Sequence, residues 1–277
     1  MYMLNLAVFI TCNDTYLKLA IISLKCFLLK NPDYKPFIIG TYFTIESYKI
    51  ASKYNITLLN IDLSSDFHSR AEDAVYPIEC FYHFYAYNLL SDFDYIVNIE
   101  PDIYSNKKID VNFENIKYIS GSYFPSGFIH SFFPIINDLK KIKSMYPDKK
   151  VYINQHRILG GFRIYNTKGL KEIEFYEKIV ELYQNSLKNG CPRAGDDSLM
   201  VLYQLLNKEH IYLLKPEYHI IFYNNVLKEK DIYHFHFTAC NEKYWKTSLK
   251  SFDGLEYVFR CKVLSFVKEN NLTCLLP

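Results

Sequence analysis

The stretch Leu4-Asn5-Leu6-Ala7-Val8-Phe9-Ile10-Thr11 is an apolar run, and it predicts a strand buried on both faces. Helical spacing follows at Leu17, Ala20/Ile21, Leu24 and Phe27/Leu28, and stops before Asn31-Pro32. A strand over Pro36–Phe43, a helix over Ile45–Tyr54 and a strand over Ile56–Ile61 come next. This β-α-β-α-β alternation argues for a parallel sheet wound in the Rossmann manner. No GxGxxG follows the first strand, which speaks against a dinucleotide fingerprint.

Further along, Ile78, Phe81/Tyr82, Tyr85 and Leu89 mark a helix, and Asp94–Ile99 a strand apolar on both faces. Lys117–Tyr123 and Ile158–Asn166 read as strands, the second opened by Gly160-Gly161. Ile173, Tyr176, Val180, Tyr183 and Leu187 predict a helix ending at Asn189-Gly190. Asp196-Asp197 precede another helix, short strands follow near Ile211–Leu214 and Ile232–Phe237, and Leu255–Val267 reads as an amphipathic helix. With no repeat and no linker, residues 1–277 are expected to form one domain. Two halves are expected within it, over 1–110 and 111–245, with a helical tail over 246–277.

The 277 residues are 49% apolar and 22% charged, enough for a sizeable core. Lys+Arg 32 against Asp+Glu 30 gives +2, which leaves no basic excess for a nucleic-acid backbone. The seven cysteines are odd in number and contain no CxxC, so they read as free thiols of a reducing compartment. The N-terminal run lacks a basic flank and reads as a strand rather than a signal peptide. No apolar stretch is long enough to span a bilayer. A cytoplasmic protein is expected, with at most peripheral membrane contact. The sequence sets no oligomeric state.

Four clusters can carry chemistry. Tyr95-Ile96-Val97-Asn98-Ile99-Glu100-Pro101-Asp102 is a strand running out into two carboxylates. Residues i and i+2 of an extended chain point the same way, so Glu100 and Asp102 can meet one hard cation such as Mg²⁺ or Mn²⁺. Taken alone, the segment reads equally well as a polar turn. Gly160-Gly161 marks either close approach by a ligand or a tight packing contact. Asp196-Asp197 either answer a helix dipole or bring a carboxylate to a reacting carbon. His234 and His236 share a strand face, and a lone histidine there is either a metal ligand or a satisfied core group.

In this order, over about Leu4 to Trp245, the clusters resemble the retaining glycosyltransferases of GT-A fold. The similar groups are glycosyltransferase family 8, with the lipopolysaccharide galactosyltransferases and glycogenin, and the ABO blood-group transferase family. The resemblance implies an α/β GT-A domain with a central, mixed, mostly parallel sheet flanked by helices. It implies that Phe9, Thr11 and Tyr16 meet the nucleoside of a UDP-sugar, and that Gly160 and Gly161 lie near the donor sugar. Glu100 and Asp102 stand for the family DxD and, with His236, would hold Mn²⁺ or Mg²⁺. Lys243 would hold the diphosphate, and Asp196 or Asp197 would face the anomeric carbon. The acceptor would be a glycan or another hydroxyl.

The chain departs from the family pattern at three places. The DxD is Glu-Pro-Asp. The closing Lys-Pro-Trp is Lys243-Tyr244-Trp245, one residue longer, with Ala239 where glycine is usual. The basic residue before the DxD is matched only by His83 or Arg70. Two rivals fit less well. A sugar nucleotidyltransferase would bring a glycine-rich loop after the first strand, and Thr11–Tyr16 has no glycine. A non-catalytic sugar-binding module of the same fold would show no turnover.

Overall fold

In the computed structural model, which describes residues 4–67, 77–128, 135–189, 195–221, 228–237 and 255–276, Ala7 to Ile10 are fully buried in strand β1 (Leu6–Thr11). Ala7 and Phe9 enter one core cluster, Val8 and Ile10 the other, so the run is apolar because both faces of the strand are covered. Helix α1 (Leu17–Lys30) buries Leu17, Leu19, Ile21, Ile22, Leu24 and Phe27. Each such side chain contributes about 1.5–3 kcal/mol when taken fully from water. Asn31 closes the helix, donating from its side chain to the Phe27 carbonyl and accepting from the Ile109 N–H.

Strands β2 (Lys35–Gly40) and β3 (Thr57–Asn60) flank helix α2 (Ile45–Lys53), whose Thr44 cap accepts from the Ser47 N–H at 3.2 Å. A 3-10 segment (Ile78–Phe84) and short α3 (Ala86–Leu89) replace the single amphipathic helix expected there. Phe81, Tyr82, His83 and Phe84 are all buried in succession, so no face is left for solvent. Then come β4 (Tyr95–Ile99), β5 (Ile103–Ser105), β6 (Ile119–Phe128), α4 (Ile135–Met145) and β7 (His156–Asn166). The chain continues with α5 (Thr167–Glu172), α6 (Phe175–Lys188), α7 (Asp196–Leu206), β8 (Ile211–Leu214), β9 (Ile220–Ile221), β10 (His234–His236) and α8 (Leu255–Glu269). Glu174, at φ 52° in the left-handed region, separates α5 from α6.

The seven-stranded sheet runs β3-β2-β1-β4-β7-β6-β8. β3, β2, β1 and β4 are parallel, β7 is antiparallel to both neighbours, and β8 is parallel to β6. The strands read as apolar on both faces, β1 and β4, lie in the interior as expected. The order reverses between them, at the topological switch where open α/β sheets bind ligands. In a second sheet, β5-β10-β9, β10 falls within the strand expected near Ile232–Phe237, while β5 and β9 are too short to read from the sequence. The register of this sheet pairs His236 with Ile103, and the Phe237 N–H donates to the Asp102 carbonyl at 3.1 Å. Among the described residues Cys12, Cys26, Cys80, Cys261 and Cys274 are free thiols, and no helix is long and apolar enough to cross a membrane.

Candidate active site

Where β4 ends, the chain turns through Glu100-Pro101-Asp102 into β5, held by the Glu100 N–H on the Gly161 carbonyl at 3.3 Å and by the Ser23 hydroxyl on the Pro101 carbonyl. The pairing of β5 with β10 carries His236 to this turn. Its Nε2 lies 2.8 Å from Glu100 Oε2 and 3.0 Å from Asp102 Oδ1. The ligand atoms of Glu100, Asp102 and His236 all lie within 4.8 Å of one another. Two carboxylates and one imidazole nitrogen make a donor set that fits a hard divalent cation. Burial works against a charged His236 ring, but Glu100 and Asp102 outweigh it and hold the pKa up to about 10.

His234, two residues back, takes the plain role. It stacks between Phe162 and Phe27 at ring distances of 4.4 and 5.9 Å and meets the Ser105 hydroxyl at 3.0 Å. Burial pushes its pKa down to about 3, as befits a neutral core group.

The acid pair opens α7. Gly195 occupies the cap, so neither carboxylate is the helix N-cap. Beneath them lies Arg163 of β7, only 1% exposed, between Asn98 of β4 and Gly121 of β6. Its Nη2 donates to Asp197 Oδ1 at 2.5 Å, and its Nη1 to His83 Nε2 at 3.0 Å. Burial, aided by Arg163, holds His83 well below the usual histidine range, so the ring is neutral. Its remaining hydrogen sits on Nδ1, aimed at the Tyr165 hydroxyl 2.8 Å away. Asp196 Oδ2 stands 3.3 Å from the same Nε2 lone pair, an arrangement that favours a proton on the carboxyl. The Asp196 pKa is raised to about 6, by burial first and by Glu100 as well, against the pull of Arg163. The Asp197 side chain is the more open, 47% exposed against 17% for Asp196.

These groups share a cavity of about 310 Å³. Glu79, Glu100, Asp102, Asp196 and Asp197 line it, with Arg157, Cys80, Asn98 and His236. Thr11 and Tyr16 line it from the end of β1 and the turn before α1, and the Tyr16 ring is 41% exposed. Phe9 requires a correction: its ring is fully buried, packs toward Tyr165 and offers no face to the cavity. Gly160 and Gly161 border the cavity, and protein groups also fill the space where their side chains would stand. A Cβ at Gly160 would lie 2.5 Å from Asp197 Oδ1, and one at Gly161 would lie 2.6 Å from both His219 Nε2 and His236 Nδ1. Lys243, Arg70, Ala239 and Trp245 lie outside the described residues.

The sequence reading missed Arg163 and His219. The only signal for Arg163 is a lone charge inside the run Ile158-Leu159-Gly160-Gly161-Phe162-Arg163-Ile164. His219 carries no signal.

Neither a family model nor a curated protein sequence matches this chain. Solved structures do. A galactosyltransferase, LgtC, in complex with donor and acceptor sugar analogs is 10% identical, with TM-score 0.67, over 95% of this chain and 95% of that one. The bifunctional glycosyltransferase WbbM is 14% identical, with TM-score 0.66, over 96% of this chain and 50% of that one. The apo form of the glycosyltransferase GlyE of Streptococcus pneumoniae is 12% identical, with TM-score 0.61, over 99% of this chain and 65% of that one. At such identities the likeness is one of fold, and the fold of this chain is that of the GT-A glycosyltransferases.

Proposed function

We propose that this protein is a retaining hexosyltransferase that moves a sugar from a nucleotide diphosphate-sugar, with UDP as the nucleotide, to a hydroxyl of a glycan or other acceptor. One observation carries the reading: Glu100, Asp102 and His236 converge at the cavity that Asp196 and Asp197 also line. Glu100, Asp102 and His236 would hold Mn²⁺ or Mg²⁺. A bound dication supplies positive charge against the donor diphosphate and its developing leaving-group charge. Thr11 and the half-exposed ring of Tyr16 would receive the nucleoside, the ring by stacking or through its hydroxyl. Lys243 is proposed for the diphosphate because His236 to Trp245 resembles the closing segment of the GT-A families. Asp197, paired with Arg163 and open to the cavity, would oppose the positive charge that grows at the anomeric carbon, with Asp196 beside it. The region Tyr123–Tyr152 is proposed to receive the acceptor.

The test is incubation of the protein with a panel of nucleotide-sugars and sugar acceptors, with and without Mn²⁺. Proton NMR then reads the first product anomer. Metal-dependent transfer with retained configuration is expected. An inverted product would sink the retaining assignment. Consumption of no donor under any metal condition would sink the enzyme reading.

A further inference from the structure

His219 lies just before β9, fully enclosed, with its Nε2 3.1 Å from Nδ1 of His236. The other nitrogen of His236 faces Glu100 and Asp102. A cation among those three groups takes the Nε2 lone pair of His236, which leaves the ring hydrogen on Nδ1, where it needs an acceptor. His219 Nε2 stands in that place. To accept, His219 must carry its own hydrogen on Nδ1, a buried atom with no hydrogen-bond partner among the described residues. An unpaired buried donor is destabilising, and the fold carries that penalty while keeping Nε2 on His236. Gly161 is the second observation. A Cβ there would sit 2.6 Å from His219 Nε2 and 2.6 Å from His236 Nδ1, beside the bond that joins them.

We propose that His219 is a positioning residue that fixes the tautomer and orientation of His236, and that Gly161 leaves the space in which the two imidazoles meet. The proposal rests on the reading of Glu100, Asp102 and His236 as a metal site. Outer partners of metal-bound histidines typically change affinity by about 10–100-fold when removed.

The test is calorimetric titration of the full chain with MnCl₂. His219→Phe keeps a ring of similar size and removes the acceptor. His219→Gln returns an amide oxygen, and Gly161→Ala obstructs the meeting of the rings. His219→Phe should bind Mn²⁺ about 10–100-fold more weakly, His219→Gln should recover part of the loss, and Gly161→Ala should weaken binding in the same direction. Nitrogen-15 NMR of histidine-labelled wild type with Mg²⁺ reads the tautomers directly and does not depend on any variant folding. Both His219 and His236 should carry hydrogen on Nδ1. A wild type that binds the ion, with His219→Phe folded and equal to it in affinity, overturns this proposal alone. So does a spectrum with the His219 hydrogen on Nε2. A wild type that binds no ion overturns the metal reading itself and this proposal with it.

Discussion

On the proposed function, a proton and a metal ion would compete for one nitrogen of His236. The metal-free ring has its pKa raised from 6.5 to about 10. Its attraction to Glu100 and Asp102 therefore stabilises the metal-free fold fully below the unfolded value and is lost as pH rises through about 10. Ion binding must expel that proton. We expect release of about one proton per ion at neutral pH, and affinity that rises about tenfold per pH unit toward the folded pKa. Calorimetry in two buffers of unequal ionisation enthalpy counts the protons, and a count of zero removes His236 from the ligand set. Asp102→Asn should keep the fold, because its amide oxygen still accepts from the imidazole, and should lose Mn²⁺ binding. Arg163→Met is the opposite case. It strips a guanidinium that is 1% exposed from two carboxylates. Breaking a buried pair costs about 3–5 kcal/mol, and the low end is expected because Asp197 can be rehydrated. Urea unfolding reads it, and a loss below about 1 kcal/mol would show the pair to be idle, as exposed ion pairs are. Spacing and order exposed Glu100, Asp102, Asp196, Asp197 and His236 in the sequence. Phe9 was misjudged because it shares a strand face with Thr11 but lies two residues, about 7 Å, further inside.

Among the elements, the long strands were legible because each face of β1 and β4 meets a core. β5 and β9 were not, at three and two residues. Yet this small sheet sets the register of His236 against the Glu100–Asp102 turn, so the convergence of the three residues followed motif order and the legible strand β10, while the strands beside β10 went unread. The expected helix over Ile78–Leu89 is instead a 3-10 segment and a short α-helix: the spacing marked one apolar face, whereas Phe81 to Phe84 are buried in succession, which one face of an α-helix cannot provide. Two strand glycines should separate fold from function. A Cβ at Gly40, the last residue of β2, would lie 2.0 Å from the Cys12 carbonyl oxygen, a backbone atom that cannot yield without moving the chain beyond β1. Gly40→Ala should cost about 1–3 kcal/mol by overpacking. At Gly160 the obstacle is the movable Asp197 carboxylate. Gly160→Ala should lose transfer activity, because the carboxylate is driven off Arg163, while its loss of stability should not exceed that of Arg163→Met. Thermal melts and donor turnover on the two variants decide it, and a Gly160→Ala enzyme of full activity would contradict the role given to Asp197.

Across the whole molecule, the cavity stands at the switch between β1 and β4, and the chain visits it from six separate stretches. A donor present at a hundred times its Kd should raise unfolding free energy by about 2.7 kcal/mol, which a melting-shift panel can detect. The charge of the lining bears on the order in which ligands arrive. Five carboxylates, Glu79, Glu100, Asp102, Asp196 and Asp197, surround this space, with Arg157 at its lining and Arg163 beneath. A pyrophosphate entering alone meets like charge; one entering with a dication does not. The two should therefore bind with strong positive cooperativity. By linkage, the factor by which Mn²⁺ tightens UDP must equal the factor by which UDP tightens Mn²⁺. Neutralising Glu79 to glutamine should weaken this mutual dependence by letting the nucleotide in unaccompanied.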